Sequence, residues 1–98
     1  MDVKLVKSSD PKFAELITKT NMAPYYDTRG IVWGHEQFLR CWDELDNYEV
    51  YVGDIRIGVV RFSYTSETTF LRDLQILTDH QGRGLGSRCL DLAIEHAN

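Results

Sequence analysis

Residues 74–87 read Leu-Gln-Ile-Leu-Thr-Asp-His-Gln-Gly-Arg-Gly-Leu-Gly-Ser, a β-type run that opens into a glycine-rich turn and then into an apolar-periodic helix. Glycines at 82, 84 and 86 permit backbone conformations closed to residues with a Cβ, and they leave the first amide N–H groups of the helix uncovered. Those groups have no partner within the helix, and the helix dipole adds partial positive charge. The segment is therefore suited to hold an anion such as a pyrophosphate, chiefly through main chain. Between Arg72 and Arg88 three arginines face Asp73 and Asp79, so the neighbourhood is slightly positive in an otherwise acidic chain.

Two familiar phosphate sites do not match. A Walker A loop needs Gly-Lys-Ser/Thr, and no lysine or metal-binding hydroxyl follows these glycines in that pattern. A dinucleotide fingerprint needs G-x-G-x-x-G after the first strand of a βαβ unit, whereas here the glycines run Gly-x-Gly-x-Gly after several strands.

The elements that must position this loop are legible from periodicity. Val3 and Leu5 alternate with lysines in a short strand. Ser9 or Asp10 can cap a helix with Pro11 at its first position, and Phe13, Ala14, Leu16 and Ile17 form its apolar stripe. That helix is expected to end near Thr20, leaving residues 21–34 as a loop or broken helix, because Pro24 and Gly30 interrupt the pattern. A second helix is expected from His35 to Leu45, with Phe38 and Trp42 as core. Residues 48–52 and 55–64 read as strands joined at Gly53-Asp54, and residues 69–77 as the strand that feeds the glycine loop. A final helix carries Leu85, Cys89, Leu90, Leu92, Ala93 and Ile94. The order βααβββα predicts a mixed α/β fold in which helices cover a mostly antiparallel sheet.

A chain of 98 residues makes one domain and buries only about 60–65% of its unfolded surface. A net charge of −4 without any basic run excludes a phosphate-tracking surface, so no nucleic-acid partner is expected. Cys41 and Cys89 are expected as free thiols, and with the three histidines they show no zinc spacing, so no metal is expected. The amino terminus lacks the apolar core of a signal peptide, and no segment approaches the roughly 18 apolar residues of a membrane span; a cytoplasmic location is expected.

Residues 81–86, Gln-Gly-Arg-Gly-Leu-Gly, together with the preceding Leu74-Gln75-Ile76 and the order of elements, resemble the acetyl-coenzyme A signature Q/R-x-x-G-x-G/A of the GNAT superfamily of N-acetyltransferases. The resemblance covers essentially the whole chain. It implies an acyl-CoA N-acyltransferase-like fold and transfer of an acetyl group from acetyl-CoA to a primary amine, or, alternatively, a non-catalytic CoA-binding module. It also implies that the main chain of Leu74, Gln75 and Ile76 meets the pantetheine arm. Gln81, Gly82, Arg83, Gly84, Leu85, Gly86 and Ser87 would serve the pyrophosphate, with Arg88 nearby.

The resemblance further implies that a backbone N–H at a strand bulge, at or near Ile76, meets the developing oxyanion. A strand carboxylate would act as base. Asp73 and Glu67 are the nearest candidates, Asp73 preferred; its alternative is an ion pair with Arg72 or Arg61. His80 reads as solvated. Tyr25, Tyr26, Trp33 and Trp42 come from the segment that walls the acceptor pocket in relatives. Such a domain continues with a fifth strand, a helix and further strands beyond the segment matched here, so the chain reads as a carboxyl-terminally truncated domain, its last strand an open edge expected to pair with a second copy.

Overall fold

The computed structural model describes residues 2–97. Its elements are β1 (Val3–Lys7), α1 (Pro11–Arg29), α2 (His35–Glu44), β2 (Asp46–Val52), β3 (Ile55–Tyr64), β4 (Thr69–Ile76) and α3 (Leu85–Ala97), with one 3-10 turn at Thr78–His80. The strands form a single sheet in the order β1-β2-β3-β4, every neighbouring pair antiparallel. This is the expected βααβββα order.

Strand alternation sends consecutive residues of β3 to opposite faces, and each face buries a separate core. On one face Val50, Ile57, Val60, Phe62 and Ile76 pack against Leu85, Cys89 and Ala93 of α3. On the other, Val59 packs with Ala14, Ile17 and Phe38 from α1 and α2, flanked by Trp33 and Trp42. Each fully buried large side chain, Phe62 and Ile17 among them, contributes about 1.5–3 kcal/mol. Phe38 and Trp42 belong to this core, as their spacing indicates.

Helix α1 is the main departure from the sequence reading. Asp10 caps it, its carboxylate accepting the Lys12 N–H at 2.9 Å, but the helix runs past Thr20 and through Pro24 to Arg29. Proline removes one intrahelical bond and disfavours a helix interior. Here three further contacts offset that cost. Asn21 donates to the Ile76 carbonyl and to Gln75 Oε1, both at 3.0 Å, and the Tyr26 ring lies 5.7 Å from that of Trp33. The stop is Gly30, left-handed at φ 65°, with its N–H on Asp27 O and the Ile31 N–H on Tyr26 O, the paired bonds of a Schellman end.

Two bulges shape the centre of the sheet. The β2–β3 register jumps between Val50 and Tyr51, leaving Ile57 as an extra residue, and the β3–β4 register jumps between Arg61 and Phe62, leaving Arg72 as one. Gly58, beside the first bulge, lets β4 come close: a Cβ there would stand 2.4 Å from the Gln75 carbonyl oxygen. Among the described residues nothing pairs with the outer edge of β4. No helix of the described residues is long and apolar enough to cross a membrane.

Candidate functional site

Between β4 and α3 the chain makes its 3-10 turn and then passes through Gly82 and Gly84, both left-handed at φ 77° and 75°. Neither position would suit a side chain with a Cβ without strain. Gly86 differs: it lies in the first turn of α3 with ordinary φ, and no heavy atom stands within 4 Å of where its Cβ would be, so it keeps that turn open rather than bending it. Among the described residues, no backbone N–H of residues 82–87 has a hydrogen-bond partner; the first is Arg88, on Gly84 O at 3.1 Å. Six consecutive amide donors are therefore left unpartnered on the way into one helix start. Arg83, Ser87 and Arg88 are exposed beside them, whereas Leu85 is buried in the core and offers only its backbone.

The strand leading into this loop presents alternate peptide groups to its open edge. Leu77 N–H bonds back to Ile57 O at 2.8 Å, so Ile76 and Leu74, one and three residues earlier, turn their N–H and C=O groups outward. The Ile76 carbonyl is taken there by Asn21 Nδ2 at 3.0 Å and Gln81 Nε2 at 2.9 Å. Two sequence expectations change here. The Gln75 carbonyl faces β3 at Gly58, so the backbone of Gln75 does not reach the edge occupied by those of Leu74 and Ile76. The β4 bulge falls at Arg72, not at Ile76; the Ile76 N–H reaches the edge through regular alternation instead. Gln81 points its side chain back to the strand and so braces the loop.

Beside this edge, on the α1–α2 face, lies a cavity of about 370 Å³. Tyr26, Trp33 and Phe38 give it an aromatic wall, the rings tilted 36° and 37° to one another, and Arg61, Arg72 and Asp73 give it charge. Of the four aromatics expected near an acceptor pocket, Tyr26 and Trp33 line this cavity and Tyr25 and Trp42 do not: Tyr25 is turned to solvent under Arg29, and Trp42 packs in the core.

Asp73 stands opposite Arg61 in the β3–β4 register and is ion-paired to its Nη2, while Gln75 Nε2 donates to its other oxygen at 2.9 Å. Gln75 in turn accepts from Asn21. One chain of polar contacts thus runs from Arg61 to the Ile76 carbonyl. Glu67 is exposed in the turn before β4, and His80 sits in the 3-10 turn.

Glu15 fixes the cavity's outer wall. It accepts the Trp33 Nε1–H at 2.8 Å and meets His35 Nδ1 at 2.6 Å, tying the α1–α2 connection to α1. The Trp33 hydrogen bond, with that of His35, holds its carboxyl below the usual range. On the opposite face, burial raises the Cys89 thiol, which marks it as an inert core residue. Sequence reading did not find Asn21 or Glu15, whose roles depend on partners far along the chain. Arg61 carried a signal, a lone charge inside the apolar run Val59-Val60-Arg61-Phe62. Among the described residues no group of three His, Cys, Asp or Glu side chains is placed to hold a metal ion.

Comparison with known proteins supplies the context. The family model described as "Acetyltransferase (GNAT) family" matches residues 11–98. No curated protein sequence matches. Among solved structures, an acetyltransferase from Thermus thermophilus superposes with a TM-score of 0.70 at 20% identity, over 97% of this chain and 69% of its own. An IAA acetyltransferase from Bacillus cereus gives 0.67 at 19%, over 97% and 57%. A PaiA N-acetyltransferase from Thermoplasma acidophilum, in complex with coenzyme A, gives 0.58 at 13%, over 97% and 71%. The chain thus spans little more than half the length of the Bacillus structure.

Proposed function

Because this chain belongs to the acetyltransferase (GNAT) family, we propose that it binds acetyl-coenzyme A along residues 82–87 and the open edge of β4 and transfers the acetyl group to a primary amine held in the adjoining cavity. The observation that carries this reading is the run of six unpartnered amide donors beside an unpaired strand edge. The donor set fits a pyrophosphate: the unpartnered amides lead into a helix start, no Cβ obstructs Gly82, Gly84 or Gly86, and exposed Arg83 and Arg88 add charge. Leu74, whose backbone groups face the same edge, can pair with an amide group of a pantetheine arm as a further strand would.

The thioester supplies the acetyl group: as the amine nitrogen bonds to its carbonyl carbon the C–S bond breaks, and CoA leaves as a thiolate that takes a proton from solvent. The Ile76 N–H, on that edge, donates to the carbonyl oxygen as charge develops there. Its position is held by two side chains, Asn21 and Gln81, on the carbonyl of the same residue. Asp73 is the one carboxylate among the described residues lining the cavity. Both its oxygens have partners, so we assign it the acceptor's proton by way of water rather than by direct contact, together with the task of holding Arg61.

Titration calorimetry with acetyl-CoA, beside a thiol-release assay over a panel of amines, tests the proposal. Saturable binding with release of CoA supports acetyl transfer; binding without release supports a CoA-binding module. Absence of both, with amide NMR resonances of residues 82–87 unmoved, overturns the reading. The same edge N–H groups would serve a second copy of the chain, so self-association, followed by light scattering, is expected to decline as acetyl-CoA is added.

A further inference from the structure

We infer that the amine taken by this cavity carries a carboxylate, received by Arg72 with Arg61 behind it; this rests on the acetyl-transfer reading for the amine but not for the anion site. In a chain of net charge −4, the cavity lining holds two guanidiniums and one carboxylate. Asp73 is already committed to Arg61 and Gln75, so it neutralises one arginine and leaves the other.

Arg61 is built in. Its side chain is only 9% exposed, its guanidinium lies over the Phe38 ring at 5.1 Å, and its Nε–H is buried with no hydrogen-bond partner among the described residues. A buried guanidinium with a donor unmet is an incomplete site, and a planar oxyanion is the acceptor that its fork geometry matches.

Arg72 reaches the same cavity because of the bulge. In a regular strand it would share the α3-facing side with Leu74; the extra residue turns it to the side of Asp73. It has no ion-pair partner within 4 Å among the described residues. The ligand complementary to this arrangement has one negative charge, a planar carboxylate, and an apolar body for the aromatic wall of Tyr26, Trp33 and Phe38. Amino acids with an aromatic or large apolar side chain meet that description.

The test uses L-phenylalanine, L-phenylalaninamide and phenethylamine, matched in body, of which the first alone carries a carboxylate, with the full chain and acetyl-CoA, and kcat/KM is expressed per unprotonated amine. The acid is expected to exceed the amide about tenfold in kcat/KM and in affinity by calorimetry, as a charge-assisted hydrogen bond would give. Arg72→Gln, at an exposed position, is expected to abolish that advantage, and Arg72→Glu to invert it. Equal use of acid and amide, preference for the amide, an advantage that survives Arg72→Gln, or failure of all three to bind overturns the inference. Thiol release from acid and amide alike would overturn it while leaving acetyl transfer standing; selective binding of the acid without thiol release would do the reverse.

Discussion

The loop of residues 82–87 and the cavity over Arg61 lie at either side of β4 and are made of opposite materials. In the loop the functional atoms are main-chain amides, and side chains matter there mainly by being absent, since Gly82 and Gly84 adopt conformations that a Cβ would strain. In the cavity, main chain recedes. Residues from α1, the α1–α2 connection, α2, β3 and β4 each send in a side chain, and several are linked through Asn21, Gln75, Asp73 and Arg61. A site of amides depends on backbone shape alone and should tolerate most side-chain changes. A site of linked side chains should transmit damage at any one of them to the rest.

The largest expected effect lies in the cavity. Asp73→Ala leaves the Arg61 guanidinium buried without its counter-charge. Removing one partner of a buried pair costs about 3–5 kcal/mol, and the partial exposure of Asp73 places the expected loss near the lower end, about 3 kcal/mol in urea unfolding. Arg61→Met added to Asp73→Ala should recover most of it. A single-variant loss below about 1 kcal/mol, the ordinary size for an exposed pair, would show that the two sites do not differ in this way.

In the loop, Gly84→Val forces a β-branched residue to φ 75°. About 1–2 kcal/mol of backbone strain is expected, relieved by a change of loop shape that disperses the amides, so affinity for acetyl-CoA should fall about tenfold or more by calorimetry. Arg83→Ala, which alters only an exposed side chain, should cost about threefold at most. If Arg83→Ala were the more damaging, side chains rather than main chain would hold the phosphates.

The same difference explains what could be read from the residues beforehand. The loop is local: three glycines between a strand pattern and a helix pattern are visible in one short run of consecutive positions, and the element order came with them. The cavity is assembled across the sequence. Asn21 meets a carbonyl 55 residues away and Trp33 meets a carboxylate 18 residues away, and neither pairing leaves a periodic trace. The reach of α1 was missed for a related reason. Pro24 is a strong local stop signal, and the tertiary contacts of Asn21 and Tyr26 that override it are not local. The place of the β4 bulge is not legible in the sequence, because register depends on the partner strand, and Arg72 by itself gives no sign of the cavity it faces.

Asn21 also joins the two regions, since its amide holds the Ile76 carbonyl on the strand edge and Gln75 in the cavity network. Asn21→Ala is expected to lower stability by about 1 kcal/mol and to weaken both acetyl-CoA and acceptor binding a few-fold. A loss confined to one of the two ligands would separate the sites that the polar chain is drawn as linking.

The smallest effect should come from the cavity's outer wall, and pH exposes it. Glu15 is held below its ordinary value of 4.5 by the Trp33 and His35 hydrogen bonds. A carboxyl whose folded value is depressed contributes stability that is fully present above the unfolded value and is lost as pH falls through the folded one. The tie between α1 and Trp33 is therefore expected to hold at neutral pH and to loosen only below about pH 4.5, when protonation removes the charged acceptor. In a Trp42→Phe background, where Trp33 is the remaining tryptophan, its emission should shift over that acid range and not between about pH 5 and 7. Glu15→Gln keeps an oxygen for the indole N–H but not the charge for His35, so it should erase the acid transition while lowering neutral-pH stability by less than about 1 kcal/mol. An unchanged transition in Glu15→Gln would assign it to another carboxyl. The wall would then stand on the packing of Trp33 with Tyr26 and Phe38 alone.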